Sequence, residues 1–215
     1  MNTANDRPTE PVLWRLFIAA HPAPAFLDAL APVDRWLRRA GTHRLIPTDQ
    51  RHVTFAFLGD APRDRVGPLR RALDETCAGL SPITLTPGRV VALPAPSSPR
   101  VVALSLEGAG FAEARTAVLT AVSKVTPTDA VTRDLERAAR AHITLARRRR
   151  VAAARRLDLA SAPTPAGVPP LTIRRLRLVR STLTPAGPEH HAIFEMSLAG
   201  PGPPEPTPNT PGDTH

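Results

Sequence analysis

The stretch HVTFAFLGD, residues 52–60, has the composition of a β-strand, and its plan returns ninety residues later in HITLAR, residues 142–147. In a strand, side chains i and i+2 share a face. His52 and Thr54 therefore point one way and Val53, Phe55 and Phe57 the other, while His142 and Thr144 oppose Ile143 and Leu145. Burying the apolar sets leaves each imidazole with its hydroxyl on the open face of a sheet. Side by side, two such strands would line a cleft with two His and two Thr. A bare HxT tripeptide is a weak signal. Apolar residues at the second and fourth positions of both copies lower the chance of two such hits to roughly a few per thousand chains.

Working outward from these strands, alternation and helical spacing divide the chain. Residues 12–20 (VLWRLFIAA) predict a strand. A helix follows, opened by Pro22 and Pro24, with Phe26, Leu27, Leu30, Val33, Trp36 and Leu37 on one face and Gly41 after its last turn. Gly59 and Asp60 are expected to end the first motif strand. Val66, Leu69, Leu73, Cys77 and Leu80 mark a second helix, with Gly67 and Pro68 as a candidate interruption. Strand-like segments at 83–86, 89–93 and 100–106 precede a third helix over 110–125 and a helix-compatible stretch over 127–140, which leads into the second motif. Two long alternating stretches, 171–183 and 189–198, are joined by a turn around 185–188 and predict a hairpin. The ends, 1–11 and the Pro-rich 200–215, have little to bury and are expected to be disordered, leaving 12–199 as the folded domain. The expected fold is α+β and bilobal: two half-domains with antiparallel sheets flanked by helices, each giving one HxT strand to a groove between them.

The chain has 215 residues, enough for a sizeable core, and 42% of them are hydrophobic. The lone Cys77 excludes a disulfide framework and points to a reducing compartment. No signal-peptide pattern and no apolar run of membrane-spanning length is present, so a cytoplasmic protein without a membrane partner is expected. Net charge is +9, and 27 of the 28 cations are Arg, Lys124 being the other. Such a balance favours polyanions, and Arg suits bidentate contact with phosphate, although an Arg-for-Lys bias also accompanies an Ala- and Pro-rich composition. The run Arg147 to Arg150, with Arg155 and Arg156, reads as a solvated basic segment. His21, His43, His190, His191 and His215 fall outside the motif and read as surface or turn residues. No ligand spacing suggests a metal, no GxxxxGK loop suggests ATP, and no cofactor is expected.

Two imidazoles and two hydroxyls facing one another suit phosphodiester chemistry. One His can take a proton from the attacking oxygen and the other give one to the departing oxygen, while the hydroxyls hold the non-bridging oxygens. The working state then carries one proton on the pair, which predicts a bell-shaped pH profile. The alternative is a module that binds RNA ends or nucleotides without turnover.

HVTFAFLGD and HITLAR, together with RLFIA (15–19), PRVVAL (99–104) and LRLVRSTLTPAGP (176–188), resemble the RNA 2′,3′-cyclic phosphodiesterases, the 2′-5′ RNA ligase branch of the two-histidine phosphoesterases. The resemblance covers about 13–198. It implies hydrolysis of 2′,3′-cyclic phosphate ends to 2′-phosphates without a metal, and in some members reversible 2′-5′ joining of RNA ends. It carries over His52 and His142 as the catalytic pair, with His142 activating water and His52 serving the leaving group, and Thr54 and Thr144 as phosphate ligands. It also implies a phosphate contact for Arg147, which strand parity puts on the core face unless the strand ends or bulges before it. Phe17 matches an aromatic of the nucleotide site and equally fits a core strand. Implied partners are RNA ends bearing cyclic phosphate, tRNA fragments among them, or cyclic nucleotides, handled by a monomer with no obligate protein partner. The chain departs from the pattern in having no Tyr and in placing Arg51 before the first motif.

Overall fold

The computed structural model describes residues 11–41, 43–95, 97, 99–148, 157–185 and 187–200. The expectations for the N-terminal 1–10, for the basic residues of 149–156 and for the tail 201–215 lie outside them. The chain runs β1 (Leu13–Ala20), α1 (Pro24–Asp28), α2 (Ala31–Ala40), β2 (His43–Leu45), β3 (Val53–Pro62), α3 (Val66–Ala78), β4 (Ile83–Leu93), β5 (Val101–Glu107), α4 (Phe111–Val125), α5 (Asp129–Leu135), β6 (His142–Arg148), β7 (Leu171–Ile173), β8 (Arg175–Thr184) and β9 (Gly187–Ser197).

The fold is α+β, and every strand pairing is antiparallel. The strand order is β7-β4-β5-β6-β3-β1-β8-β9, with β2 pairing β6. One half of the sheet is β3-β1-β8-β9 and the other β7-β4-β5-β6; they join where Val53 of β3 pairs with Ile143 of β6. The two HxT motifs thus meet at the seam between the halves.

Helices cover one face of this sheet. Leu69, Leu73 and Cys77, four residues apart on α3, are wholly buried there, as are Val118 and Val122 of α4 and Leu16, Ile18, Phe55, Leu104 and Leu145 of the strands. Burial of each large aliphatic side chain contributes roughly 1.5–3 kcal/mol. The opposite face carries a small separate cluster of Phe17, Ala19 and Val179 with Phe57 against it, and it bounds the cleft.

Several boundaries differ from the sequence expectation for local reasons. The first helix is two: the chain turns at Ala29 and Leu30, and Pro32 in the first turn of α2 starts it anew. Gly41 follows α2 with φ +72°, the left-handed conformation that ends a helix. Pro68 sits in the first turn of α3, where its missing N–H is no loss, and does not interrupt it. The segments 83–86 and 89–93 form one strand bent by a bulge at Gly88 and Arg89. β3 continues past Gly59, which takes φ +67° at a second bulge, to Pro62. The stretch 171–183 is two strands, because the chain changes partner at Arg174: β7 pairs with β4, and β8 with β1 and β9. Among the described residues no helix is long and apolar enough to cross a membrane.

Candidate active site

Antiparallel register around the pair Val53 and Ile143 puts His52 opposite Thr144 and Thr54 opposite His142. Each motif then carries a bulge at its fourth residue. Opposite β1, Ala19 aligns with Thr54 and Ile18 with Ala56, so Phe55 is the extra residue; opposite β5, Ala103 aligns with Thr144 and Val102 with Ala146, so Leu145 is. An extra residue shifts the alternation by one. The side chain three beyond each Thr therefore returns to the cleft face: Phe57 in the first motif, Arg147 in the second. Simple parity predicts Phe57 on the core face with Val53 and Phe55; the bulge moves it. Arg147 reaches the cleft by the bulge that its position demands.

Both imidazoles are held alike. His52 Nδ1 lies 2.7 Å from the Gln50 carbonyl oxygen and His142 Nδ1 3.0 Å from that of Arg140, in each case the carbonyl two residues upstream. A carbonyl only accepts, so Nδ1–H donates to it and Nε2 remains to exchange a proton.

Neighbouring elements fix the two strands. Asp134 of α5 accepts a hydrogen bond from the Phe57 N–H at 2.9 Å and pairs with Arg115 of α4 at 3.3 Å. Thr128 caps α5 by accepting from Val131 N–H at 3.3 Å and donates to the Leu58 carbonyl at 2.6 Å. Ahead of His52, Arg51 is 2% exposed. Its guanidinium reaches Asp34 of α2 at 2.7 Å and the Ile46 carbonyl at 3.2 Å. Arg51 is thus a buried tie between α2 and the entry to β3.

The cleft has a volume of about 450 Å³. His52, Thr54, His142, Thr144 and Arg147 form its floor, and Phe17, Phe57, Leu183 and His190 are among its walls. Phe17, placed between core and site by its sequence context, is 4% exposed yet lies on the cleft face, its ring centroid 4.9 Å from that of His52. Arg15 stacks over Phe57 at 4.8 Å.

Two histidines read as surface or turn residues belong to this neighbourhood. His190 of β9 lies across from Ser181 and stands edge-on to His52 at 5.5 Å and to Phe17 at 5.0 Å. His21 follows β1 and lies 5.9 Å from His52. The available signal was the alternation of β9, which puts His190 and Pro188 on one face; the neighbour of that face is a matter of topology. His43 is buried on β2, and His191 is exposed beside Glu189.

Burial pushes the His52 imidazole down to about 4, with His190, His21 and Arg147 adding to the effect and the Gln50 carbonyl opposing it. His190 is lowered by burial and then by Arg147, and His21 by burial and then by Arg177. Among the described residues no group of three or more His, Cys, Asp or Glu could hold a metal ion.

Residues 17–103 match the family described as LigT like Phosphoesterase. Among solved structures, TT0787 of Thermus thermophilus is 26% identical, with 86% of this chain and 98% of that one covered and a TM-score of 0.71. E. coli LigT complexed with NADP+ is 18% identical over 87% and 99% of the two chains, with a TM-score of 0.63. E. coli LigT complexed with 3′-AMP is 19% identical over 87% and 99%, with a TM-score of 0.56. No curated protein sequence matches. The family match takes in the first motif, and the likeness to TT0787 of Thermus thermophilus extends the similarity in fold over most of the chain, so the protein is similar to the LigT-like phosphoesterases.

Proposed function

We propose that the protein hydrolyses 2′,3′-cyclic phosphates at RNA ends to 2′-phosphates. The observation that carries this is the pair of imidazoles on facing motifs, each tied at Nδ1 to the carbonyl two residues upstream and each beside a Thr hydroxyl. Water attacks phosphorus in line with O3′. One Nε2 takes the water proton, the P–O3′ bond breaks, and the other imidazolium protonates O3′; solvent then restores the pair. Each proton transfer is worth roughly 10²–10⁴ in rate. Thr54 and Thr144 donate to the non-bridging oxygens, and Arg147 balances their charge.

His52, unprotonated at neutral pH in the free cleft, takes the water proton, and His142 serves O3′. These roles reverse those the resemblance implies. A 5′-hydroxyl in place of water would give 2′-5′ joining by the same transfers. The bound 3′-AMP of E. coli LigT supports a nucleotide ligand for this fold. A monomer acting in the cytoplasm suits the single cysteine, which is buried with its thiol pushed up to about 11.

The test is an RNA oligonucleotide ending in 2′,3′-cyclic phosphate, incubated in EDTA with products resolved by mass and phosphatase sensitivity. Formation of a 2′-phosphate, reduced at least about 10²-fold in His52→Ala and in His142→Ala with product affinity retained, is the expected result. Retained turnover in either variant, or parallel loss of binding and rate, would remove the two-histidine mechanism.

A further inference from the structure

Beyond His142 the sheet carries a second cleft, of about 490 Å³, and His142 is the one residue its walls share with the first. The first lies over β6, β3, β1 and the β8–β9 hairpin, the second over β4, β5 and the start of β6, so a ligand spanning both runs across the strands. Val91, Leu93 and Phe111 give the second cleft apolar wall, Arg89 and Arg140 bring cations, and Glu107 is its one carboxylate.

Arg89 is placed there by a built feature. Between the pairs Pro87 with Leu106 and Val90 with Leu104, two residues of β4, Gly88 and Arg89, face only Ser105. Ser105 Oγ accepts from the Arg89 N–H at 2.8 Å and donates to the Arg89 carbonyl at 3.1 Å, which pins the bulge. A Cβ on Gly88 would lie 2.5 Å from that hydroxyl, so the close approach requires glycine. Ser105 is also the cross-strand partner of His142. One hydroxyl thus sets the Arg89 backbone directly across the ladder from a catalytic imidazole, and bulges serve to re-aim side chains in this way.

Both clefts fall within the roughly 300–1,000 Å³ typical of ligand sites. Cations beside an apolar wall suit a nucleotide whose phosphate meets Arg and whose base lies on apolar surface. We propose that the second cleft binds the nucleotide preceding the cyclic phosphate, so that the end of an oligonucleotide is preferred over a free cyclic mononucleotide. The proposal rests on the phosphodiesterase reading and extends it to chain length.

The experiment compares kcat/KM for a 2′,3′-cyclic mononucleotide and for a trinucleotide ending in 2′,3′-cyclic phosphate. In parallel, binding of a 5′-fluorescent trinucleotide 2′-phosphate is followed by anisotropy. The trinucleotide is expected to lead by about tenfold or more, with its advantage shrinking between about 50 and 200 mM salt. Arg89→Glu, which reverses the charge, and Ala112→Trp, which fills the cleft from the exposed side of α4, should each remove most of that lead and weaken trinucleotide binding about fivefold or more, with mononucleotide turnover within about twofold of the parent. Equal kcat/KM for the two substrates, or equal losses on both, would overturn the proposal. Should neither substrate turn over, the hydrolase reading falls, and trinucleotide affinity unchanged in Arg89→Glu would overturn the second cleft independently.

Discussion

His52 shows how much a single environment sets. Its ring is packed among Phe17, His190 and His21, and the cost of charging it there keeps it neutral well below the ordinary imidazole range. An NMR titration of the free protein should find the His52 ring changing charge near pH 4, and a midpoint between 6 and 7 would remove the basis for making it the base. The division of labour has its own check. In a cyclic phosphate with sulfur at the 3′-bridging position the leaving group departs as thiolate and needs no proton, so His142→Ala should recover most of its loss on that substrate while His52→Ala does not. Recovery in His52→Ala instead would restore the roles implied by resemblance. Arg147, re-aimed by a bulge, offers bidentate geometry: Arg147→Lys should keep only part of the rate, and Arg147→Ala should lose about tenfold or more in kcat/KM.

At the scale of elements, the two motif strands share a device that neither tripeptide contains. HVTFAF and HITLAR match at His, Thr and Ala, and each spends its fourth residue on a bulge. In the first motif the Asp134 carboxylate accepts from the Phe57 N–H, two residues beyond the bulged Phe55. Asp134→Ala strands that donor and deprives buried Arg115 of its counter-ion, and should destabilise by about 3 kcal/mol in urea unfolding. Asp134→Asn, which keeps an acceptor for Phe57 N–H, should cost less than Asp134→Ala. Equal stability of Asp134→Ala and the parent would show that these contacts of α5 do not support the strand.

For the whole molecule, the half-buried imidazoles around the cleft tie stability to pH. The unfolded chain protonates His52 near 6.5, whereas the folded chain resists until about 4. Between those values the unfolded state binds more protons, so stability is lost as pH falls from 6.5 towards 4, by about 3 kcal/mol for this group. His21, His43 and His190 are shifted in the same direction, each first by burial. Chemical denaturation at pH 7 and pH 4.5 should show this loss, and His52→Gln should flatten it; a slope unchanged by the substitution would contradict the burial argument. The pair Arg51 and Asp34 ties the helical layer to the seam, and Asp34→Ala, which leaves a buried guanidinium unpaired, should cost about 3–5 kcal/mol.

Local chemistry in the chain was enough for the α+β class, most strands and helices, and the membership of His52, Thr54, His142 and Thr144 in one face-sharing pattern. Period-2 alternation and helical spacing are short-range properties, and they survive folding. Phe57, Arg147 and His190 depended on more. The first two needed the bulges at Phe55 and Leu145, which arise because the strands alongside, β1 and β5, advance one residue where the motif strand advances two. His190 needed β9 to lie beside β8 and β8 beside β1, so that a residue near the far end of the chain stands edge-on to His52. The partner change at Arg174 was likewise silent in the sequence, because alternation continues unbroken across it. Local sequence determines which side chains a strand can present on one face; which strand lies next to it, and in what register, is settled by packing over the whole chain, and the walls of the cleft follow from that.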